Sequence, residues 1–417
     1  MDQTTLIVPD RHADHASRGT GDTTAPGDGR GGDPPGTAPR PSGDRARPER
    51  LRPLARRGFR RILIVKPSAL GDVVHALPVL HGLRSRYPAA RIDWLVGAAF
   101  APLIHGHPDL DGIVAFDRQR FARMARHPRV ASAFASLLRD LRSRRYDLVV
   151  DLQGLFRSGF LTWTTGAPVR IGFARAREFA WMFYTHRIRA GDANMHAVDR
   201  NFRVADMLGF DDVPIEFRLT LRPEETTAAA ALLRRVGVPP GSRVIAVAPG
   251  ARWETKVWRP ERFAETIDRL HGTQAPRLAP NAARCILLGS PAEIELCDRI
   301  ARACRSAPAN LAGRTSVRDM AAVLSLADVV LCHDSAAMHI AVALERAVVC
   351  LIGPTNPQRT GPYRRERDVL RVPLPCAPCY LRRLAQCRHD HRCMSDLSTD
   401  VVVNAVEHAL TRTATSP

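Results

Sequence analysis

Only two of the chain's 61 basic side chains are lysines, Lys66 and Lys256. A drift toward arginine that spares two positions implies that a compact, flexible ammonium is wanted at both, since a guanidinium fork is not its equivalent. The plainer reading is that two surface lysines survived by chance. Each follows a strand end, where functional side chains concentrate. Lys66 comes directly after the apolar run at 62–65, the segment 67–71 is too small and Pro-interrupted to extend that strand, and Asp72 then opens an apolar-periodic helix through Val73, Leu77, Leu80 and Leu83. A carboxylate at such a strand-loop-helix junction faces the crevice where open α/β sheets bind ligands, and Gly71 lets the backbone come close to one.

Three strand-end loops further along offer groups suited to a phosphorylated ligand. APGARWETKVW presents Gly250, Thr255 and Lys256, where a phosphate could be met. LLGSPAEIE ends a strand at Gly289 and starts a helix with Glu293; this carboxylate either binds ribose hydroxyls or only complements the helix dipole. CHDSAAMHIAVAL is the most telling, because Asp334 and Ser335 cap a helix whose next residues, Ala336 and Ala337, are small enough for a diphosphate to approach the free N–H groups. An anion there gains about 0.3–1 kcal/mol from the helix dipole when exposed. Asp334 would repel a diphosphate, so it is either aimed at sugar hydroxyls or is an ordinary N-cap. His339, one turn on, is a packed core residue or, beside Asp334, part of the site.

Positioning these groups takes alternating strands and helices. After the first pair, 91–96 and 113–116 read as strands, 131–144 as an amphipathic helix, and YDLVVDLQG as a strand leading to Asp151, Gln153 and Gly154. The block 169–210 reads as mainly helical after one strand and is crowded with Arg170, Arg175, Arg177, Arg187, Arg189 and His196, either a solvated face or the wall of an anion site. A Pro-rich linker and one helix at 211–241 precede a second set of α/β units, so each half should hold a parallel, doubly wound sheet, with strand ends from both bounding a cleft. The expected division is a disordered tail at 1–57, a first domain at 58–225, a second at 226–396, and at 397–417 an amphipathic helix that returns to brace the first.

The tail cannot bury enough apolar surface to offset its ordering entropy. Ten Arg against eight Asp and Glu in residues 1–58, a net of +2, leave +17 of the formal +19 on the rest, which implies an anionic partner: a phosphorylated substrate, a membrane surface or nucleic acid. With 6% aromatics and no nucleic-acid module, nucleic acid is the weakest of these. No secretory h-region and no uncharged run of 18 apolar residues is present, so a cytoplasmic protein is expected. Nine cysteines are then read as reduced thiols. Cys376, Cys379, Cys387 and Cys393 have the ligand number of a structural zinc site, but the second pair is spaced more widely than such sites prefer, and partly buried thiols are favoured.

VKPSALGDVVHALPVL, DLQGLFRSG, the FARAREFAWMFYTHRI to HAVDR block, PGARWETKVWRPERF, HDSAAMHIAVAL and IGPTNP, in that order over about 60–412, resemble glycosyltransferase family 9, the ADP-heptose:lipopolysaccharide heptosyltransferases. The first half is most similar to heptosyltransferase I. The resemblance implies a GT-B fold, two Rossmann-like domains facing across a cleft. It also implies an inverting transfer of heptose that requires no metal or other cofactor. ADP-heptose would be the donor, and the Kdo region of a lipopolysaccharide precursor at the inner face of the cytoplasmic membrane the acceptor. Asp72 matches the family's catalytic aspartate, which takes the acceptor's proton, and Lys256 the lysine that steadies the departing diphosphate. Asp334 and His339 match donor-site positions, with Gly250, Thr255, Glu293, Ser335, Ala336 and Ala337 around them. Lys66 matches a lysine beside the acceptor, with Ser68, Gln153, Arg157, Arg175 and His196 on the same side.

A carboxylate at a helix start has its charge stabilised and is a weak base unless closure of the cleft buries it. Ala69 and the Ala pair at 336–337 stand where the family often has a small polar residue and a glycine, which bears on sugar preference. Other readings are a family member with another nucleotide sugar or acceptor, a hydrolysing or epimerising enzyme, and a basic binding protein on the same scaffold.

Overall fold

The computed structural model describes residues 54–414 except 122, 124–126, 190 and 272–281. The described chain builds two six-stranded sheets. The first contains β1 (Arg61–Val65), β2 (Arg91–Gly97), β3 (Gly112–Phe116), β4 (Leu148–Asp151), β5 (Val169–Phe173) and β6 (His186–Ile188), in the order β3-β2-β1-β4-β5-β6. The second contains β7 (Arg243–Ala248), β8 (Ala283–Leu287), β9 (Ala309–Asn310), β10 (Val329–His333), β11 (Ala347–Leu351) and β12 (Val369–Leu370), in the order β12-β11-β10-β7-β8-β9. Every neighbouring pair is parallel. The strands read as apolar runs because helices cover both sheet faces: β4 is buried throughout and β1 from its second residue on.

The two sheets share one winding, and each reverses its strand order once, between β1 and β4 in the first and between β7 and β10 in the second. At such a switch point the loops leaving the two central strands diverge and open a crevice at the strands' carboxyl ends. The segments after β1, β4, β7 and β10 carry Lys66 and Asp72, Gln153, Lys256, and Asp334 respectively.

The halves are packed together by apolar contact. One core cluster runs from Val73, Val74 and Leu77 to Ala337, Ile340 and Ala341, and the short helix Leu70–Val74 lies against the helix Ala336–Ala343. Burying a side chain such as Leu77 or Ile340 stabilises by about 1.5–3 kcal/mol. Gly71 sits at a close approach, where an added Cβ would run into the His339 ring. Arg318 fastens the same seam, donating to the carbonyls of Leu103 at 2.8 Å and Thr220 at 2.9 Å and to both oxygens of Glu225.

Several expectations change. The last helix, Thr399–Ala414, packs on the helix Pro260–Leu270 and on β10 and β11 rather than returning to the first half. Its Val402, Val406 and Leu410 fill one core with Ile245, Leu331 and Val349 of the second sheet, whose apolar face would otherwise lie open. Amphipathicity reveals that a helix has a face to bury but not which sheet needs it. The block 169–210 holds a second strand, β6, and a 3-10 turn at Ala180–Phe183, and turns helical only from Ala197. A boundary at 225 would cut the helix Pro223–Arg235, which packs whole on the helix Val317–Ser325 of the second half. Residues 1–53 of the expected tail lie outside the described residues, while Leu54 within that span is buried and its N–H donates to the Met207 carbonyl at 3.3 Å.

Candidate active site

In the first half, Lys66 is buried at the end of β1. Its Nζ donates to the Leu152 carbonyl, beyond β4, at 3.0 Å and stands 3.6 Å from Asp72 Oδ1. Asp72 is the third residue of its helix rather than the first, and its Oδ2 accepts the Ala69 N–H at 2.9 Å, one of the donors a helix start leaves unpaired. That bond orients the carboxylate while the side chain stays 44% exposed, so a ligand hydroxyl has room to reach Oδ1. The Ser68 N–H donates to Gln153 Oε1 at 3.3 Å, which ties the loops after β1 and β4 together.

The second half holds its charges more tightly. Lys256, in the 3-10 turn Glu254–Lys256, donates from Nζ to Asp334 Oδ2 at 2.7 Å and to the Asp334 carbonyl at 3.1 Å, with the Trp253 ring 4.6 Å away. The hydroxyls of Thr355 and Thr360 donate to the same Oδ2 at 2.8 and 3.1 Å. Burial alone would raise the Asp334 carboxyl, but the Lys256 charge and these donors outweigh it and hold it below the usual carboxylate range.

His339 joins the two halves. Its ring packs on Gly71, its Nδ1 meets His75 Nε2 at 2.9 Å, and its Nε2 stands 3.9 Å from Asp334 Oδ1. Burial pushes the imidazole down to about 4 even though Asp334 pulls it up. It is therefore neutral at pH 7, and the cation facing Asp334 is Lys256. Asp72, His339, Asp334 and Lys256 thus form one line of neighbours across the seam, with a carboxylate open at one end and an ammonium at the other. Close by, the Arg200 guanidinium lies 4.5 Å over the Phe173 ring. Partial burial, then the charges of Arg359 and Arg177, lower its pKa, with Asp72 opposing. Such an arrangement can draw a proton from a hydroxyl, bind a diphosphate and neutralise charge that develops on it.

Not every expected residue joins the site. Thr255 turns its hydroxyl to the Leu381 carbonyl at 2.5 Å. Glu293 caps its own element by accepting the Ser290 N–H at 2.7 Å, and Gly250 provides the space its carboxylate fills. Asp334 does not point outward at sugar hydroxyls; three protein donors occupy its Oδ2. His196 Nδ1 accepts the Val198 N–H at 3.2 Å, so Nε2–H donates to the Gly361 carbonyl at 3.0 Å, and the residue serves as a clasp between the halves. Arg157 and Arg175 lie exposed. Ser335 starts the helix Ala336–Ala343 without a side-chain cap, and its Oγ is buried with no partner, beside the small Ala336 and Ala337. Cys376, Cys379 and Cys387 lie near enough to Cys393 to act on its thiol, which burial chiefly pushes up to about 12; all four are unbonded. Among the described residues no group of three His, Cys, Asp or Glu could hold a metal ion.

Sequence reasoning missed His75, Thr355, Thr360 and Arg200. His75 had a signal, lying three residues after Asp72 and so on the same helix face. Thr355 follows β11, next to β10 in the sheet, and the strand-end rule that selected Asp334 applies to it equally.

The model of the family described as glycosyltransferase family 9 (heptosyltransferase) matches residues 134–388. Lipopolysaccharide heptosyltransferase 1 of Pseudomonas aeruginosa is 31% identical over 325 residues, 76% of this chain and 86% of the relative. Lipopolysaccharide core heptosyltransferase OpsX of Haemophilus influenzae is 26% identical over 324 residues, 77% of this chain and 86% of that one. Among solved structures, a family 9 glycosyltransferase from Veillonella parvula superposes with a TM-score of 0.72 at 22% identity, covering 85% of this chain and 98% of its own. E. coli heptosyltransferase WaaC with ADP-2-deoxy-2-fluoro heptose does so with a TM-score of 0.63 at 25% identity, covering 84% and 99%. Two like-wound parallel sheets meeting at their switch points are the GT-B architecture of these structures, and with the family match across most of the chain they show that this protein belongs to glycosyltransferase family 9.

Proposed function

We propose that the protein transfers L-glycero-D-manno-heptose from ADP-heptose to the Kdo region of a lipopolysaccharide precursor, with inversion and without a metal. The coarser part, heptosyl transfer in lipopolysaccharide core assembly, has the support of the two lipopolysaccharide heptosyltransferases named above. The observation that carries the finer part is the line from Asp72 through His339 and Asp334 to Lys256. It sets a half-exposed carboxylate and a largely buried ammonium on opposite halves of one crevice.

In the proposed step the acceptor hydroxyl oxygen forms a bond to C1 of the heptose as the bond from C1 to the phosphate oxygen breaks. The hydroxyl proton passes to Asp72 Oδ1, and the leaving ADP keeps the electron pair. Attack from the Asp72 side on a sugar whose diphosphate is held from the Lys256 side places the two bonds on opposite faces, which inverts the centre. Lys256 is already fixed by Asp334, so it meets the growing charge without reorganising, as do the first amides of the helix Ala336–Ala343. Lys66, 3.6 Å from Asp72 Oδ1, holds the acceptor side positive, and neutral His339 fills the space between the sites without adding charge.

Incubating the protein with ADP-heptose and Kdo-lipid acceptors in the presence of EDTA, and weighing the products, tests this. One added heptose with release of one ADP is expected. Release of ADP without acceptor would indicate hydrolysis instead, turnover only with another nucleotide sugar would reassign the donor, and loss of turnover with EDTA would remove metal independence. Among the described residues no helix is long and apolar enough to cross a membrane, and the protein is placed at the inner face of the cytoplasmic membrane through its acceptor.

A further inference from the structure

Five of the eight large apolar side chains left exposed on the described chain, Phe156, Trp163, Phe179, Trp181 and Met182, come from two touching elements. These are the helix Phe156–Thr164 and the turn Ala180–Phe183 with the residue before it. Gly159 permits the contact, since a Cβ there would meet the Phe183 ring at 2.6 Å, and Phe156 meets the same ring edge-on at 5.3 Å. Glu178 and Phe179 both adopt left-handed backbone, with φ of 54° and 57°, which a bulky residue seldom does. The turn nevertheless presents Phe179 at 69% exposure. A soluble surface seldom gathers its large apolar groups so closely unless something covers them.

The rim of the patch is basic. Arg157, Arg175, Arg177 and Arg187 are exposed around it, and the Arg187 guanidinium lies 4.8 Å over the Trp181 ring. The one acid in the turn, Glu178, accepts the Phe156 N–H at 3.1 Å. Aromatic bodies that reach the acyl boundary, framed by guanidiniums at the height of lipid phosphates, are the pairing an anionic bilayer surface selects. The patch also lies on the acceptor side. Its helix begins three residues after Gln153, which binds the Ser68 amide, and the Arg177 N–H donates to the Gly154 carbonyl at 3.0 Å.

We infer that this patch docks the protein on an anionic lipid bilayer, so that a lipid-borne acceptor reaches Asp72 without leaving the membrane surface. The link to Asp72 rests on the proposed function; the docking does not.

Flotation of the full chain with phosphatidylglycerol-containing vesicles, set against phosphatidylcholine vesicles, tests the docking. The wild type should float with the anionic vesicles and its tryptophan emission should shift to the blue. The triple variant Trp163→Ser, Phe179→Ser, Met182→Ser should bind at least tenfold more weakly, and Arg187→Gln should weaken binding chiefly at low salt. Transfer to a deacylated, water-soluble acceptor should be unchanged in the triple variant, while transfer to the same acceptor embedded in vesicles falls about tenfold. No binding by the wild type, or equal binding by the triple variant, overturns the proposal. So does a dimer that the triple variant abolishes in sedimentation, without vesicle binding, since the patch would then serve a second copy of the chain. Absence of transfer to the soluble acceptor would instead count against the proposed function and leave the flotation result readable.

Discussion

The molecule contains two lysine–aspartate pairs, one at the switch point of each sheet, and they are built differently. Lys66 and Asp72 stand 3.6 Å apart, with the lysine buried and the carboxylate 44% exposed. Lys256 and Asp334 stand 2.7 Å apart, both largely buried, with two threonine hydroxyls on the same carboxylate oxygen. A carboxylate can accept a substrate's proton only if the substrate can reach it and its lone pairs are not already engaged. Asp72 is 44% exposed and its hydrogen bond from the Ala69 N–H goes to Oδ2, whereas Asp334 is buried with three donors on its Oδ2. The same two residue types thus present an open carboxylate in one half and a firmly held ammonium in the other, and loop packing rather than residue identity makes the difference.

The comparison breaks most sharply at Asp72. Asp72→Asn keeps the size and the bond from the Ala69 N–H but removes the base, and kcat should fall by about 10²–10⁴ with ADP-heptose affinity unchanged by calorimetry. Equal activity in this variant would dismiss Asp72 as the proton acceptor. Asp334→Ala strands a largely buried ammonium, and loss of one partner from a fully buried pair costs about 3–5 kcal/mol, which bounds the loss from above. Its urea midpoint should drop accordingly, and by more than in Asp72→Ala, which loses a 3.6 Å contact to an exposed carboxylate rather than a 2.7 Å bond to a buried one. Lys256→Met retains the stem and removes the charge; kcat should fall about 10²-fold and ADP should bind more weakly. An effect on acceptor KM alone would place Lys256 on the wrong side of the reaction.

The pH dependence sharpens the picture. His339 and His333 are held by burial at about 4 and about 3, below the ordinary value of about 6.5. On acidification the unfolded chain therefore binds protons before the folded one does. Stability should be level above pH ~6.5 and fall as pH drops from there toward 4, by up to about 1.4 kcal/mol per pH unit for each such histidine. Denaturant titrations at pH 7 and pH 5 would show the loss, and His339→Gln should flatten part of it. The smallest effect is expected at Lys66→Arg, a few-fold rise in acceptor KM, because a planar fork cannot reproduce the bond to the Leu152 carbonyl beside Asp72.

Much of the site was legible because strand ends are legible. A run such as ILIV at 62–65 followed by small residues and a periodic helix locates a crevice whatever the fold's details, and Lys66, Asp72, Lys256 and Asp334 all lie in the segments that follow strand ends. The reading failed where polar groups found partners far away in the chain. Thr255 faces Leu381, Asp334 faces Thr355 and Thr360, and His196 faces Gly361; no local pattern records such pairings. The final helix failed for a similar reason, since its apolar stripe fits either sheet.

What the residues alone determined is the alternation of apolar strands and amphipathic helices, and with it the two sheets and the loops at their carboxyl ends. Local periodicity and side-chain size decide those, and they need no knowledge of distant segments. Only the tertiary structure decided which carboxylate stays open. The closeness of His339 to Gly71, the hydroxyls set around Asp334 and the face buried by the last helix all arise from contacts between segments a hundred or more residues apart or on neighbouring strands. Their free energy depends on geometry that the order of residues does not display.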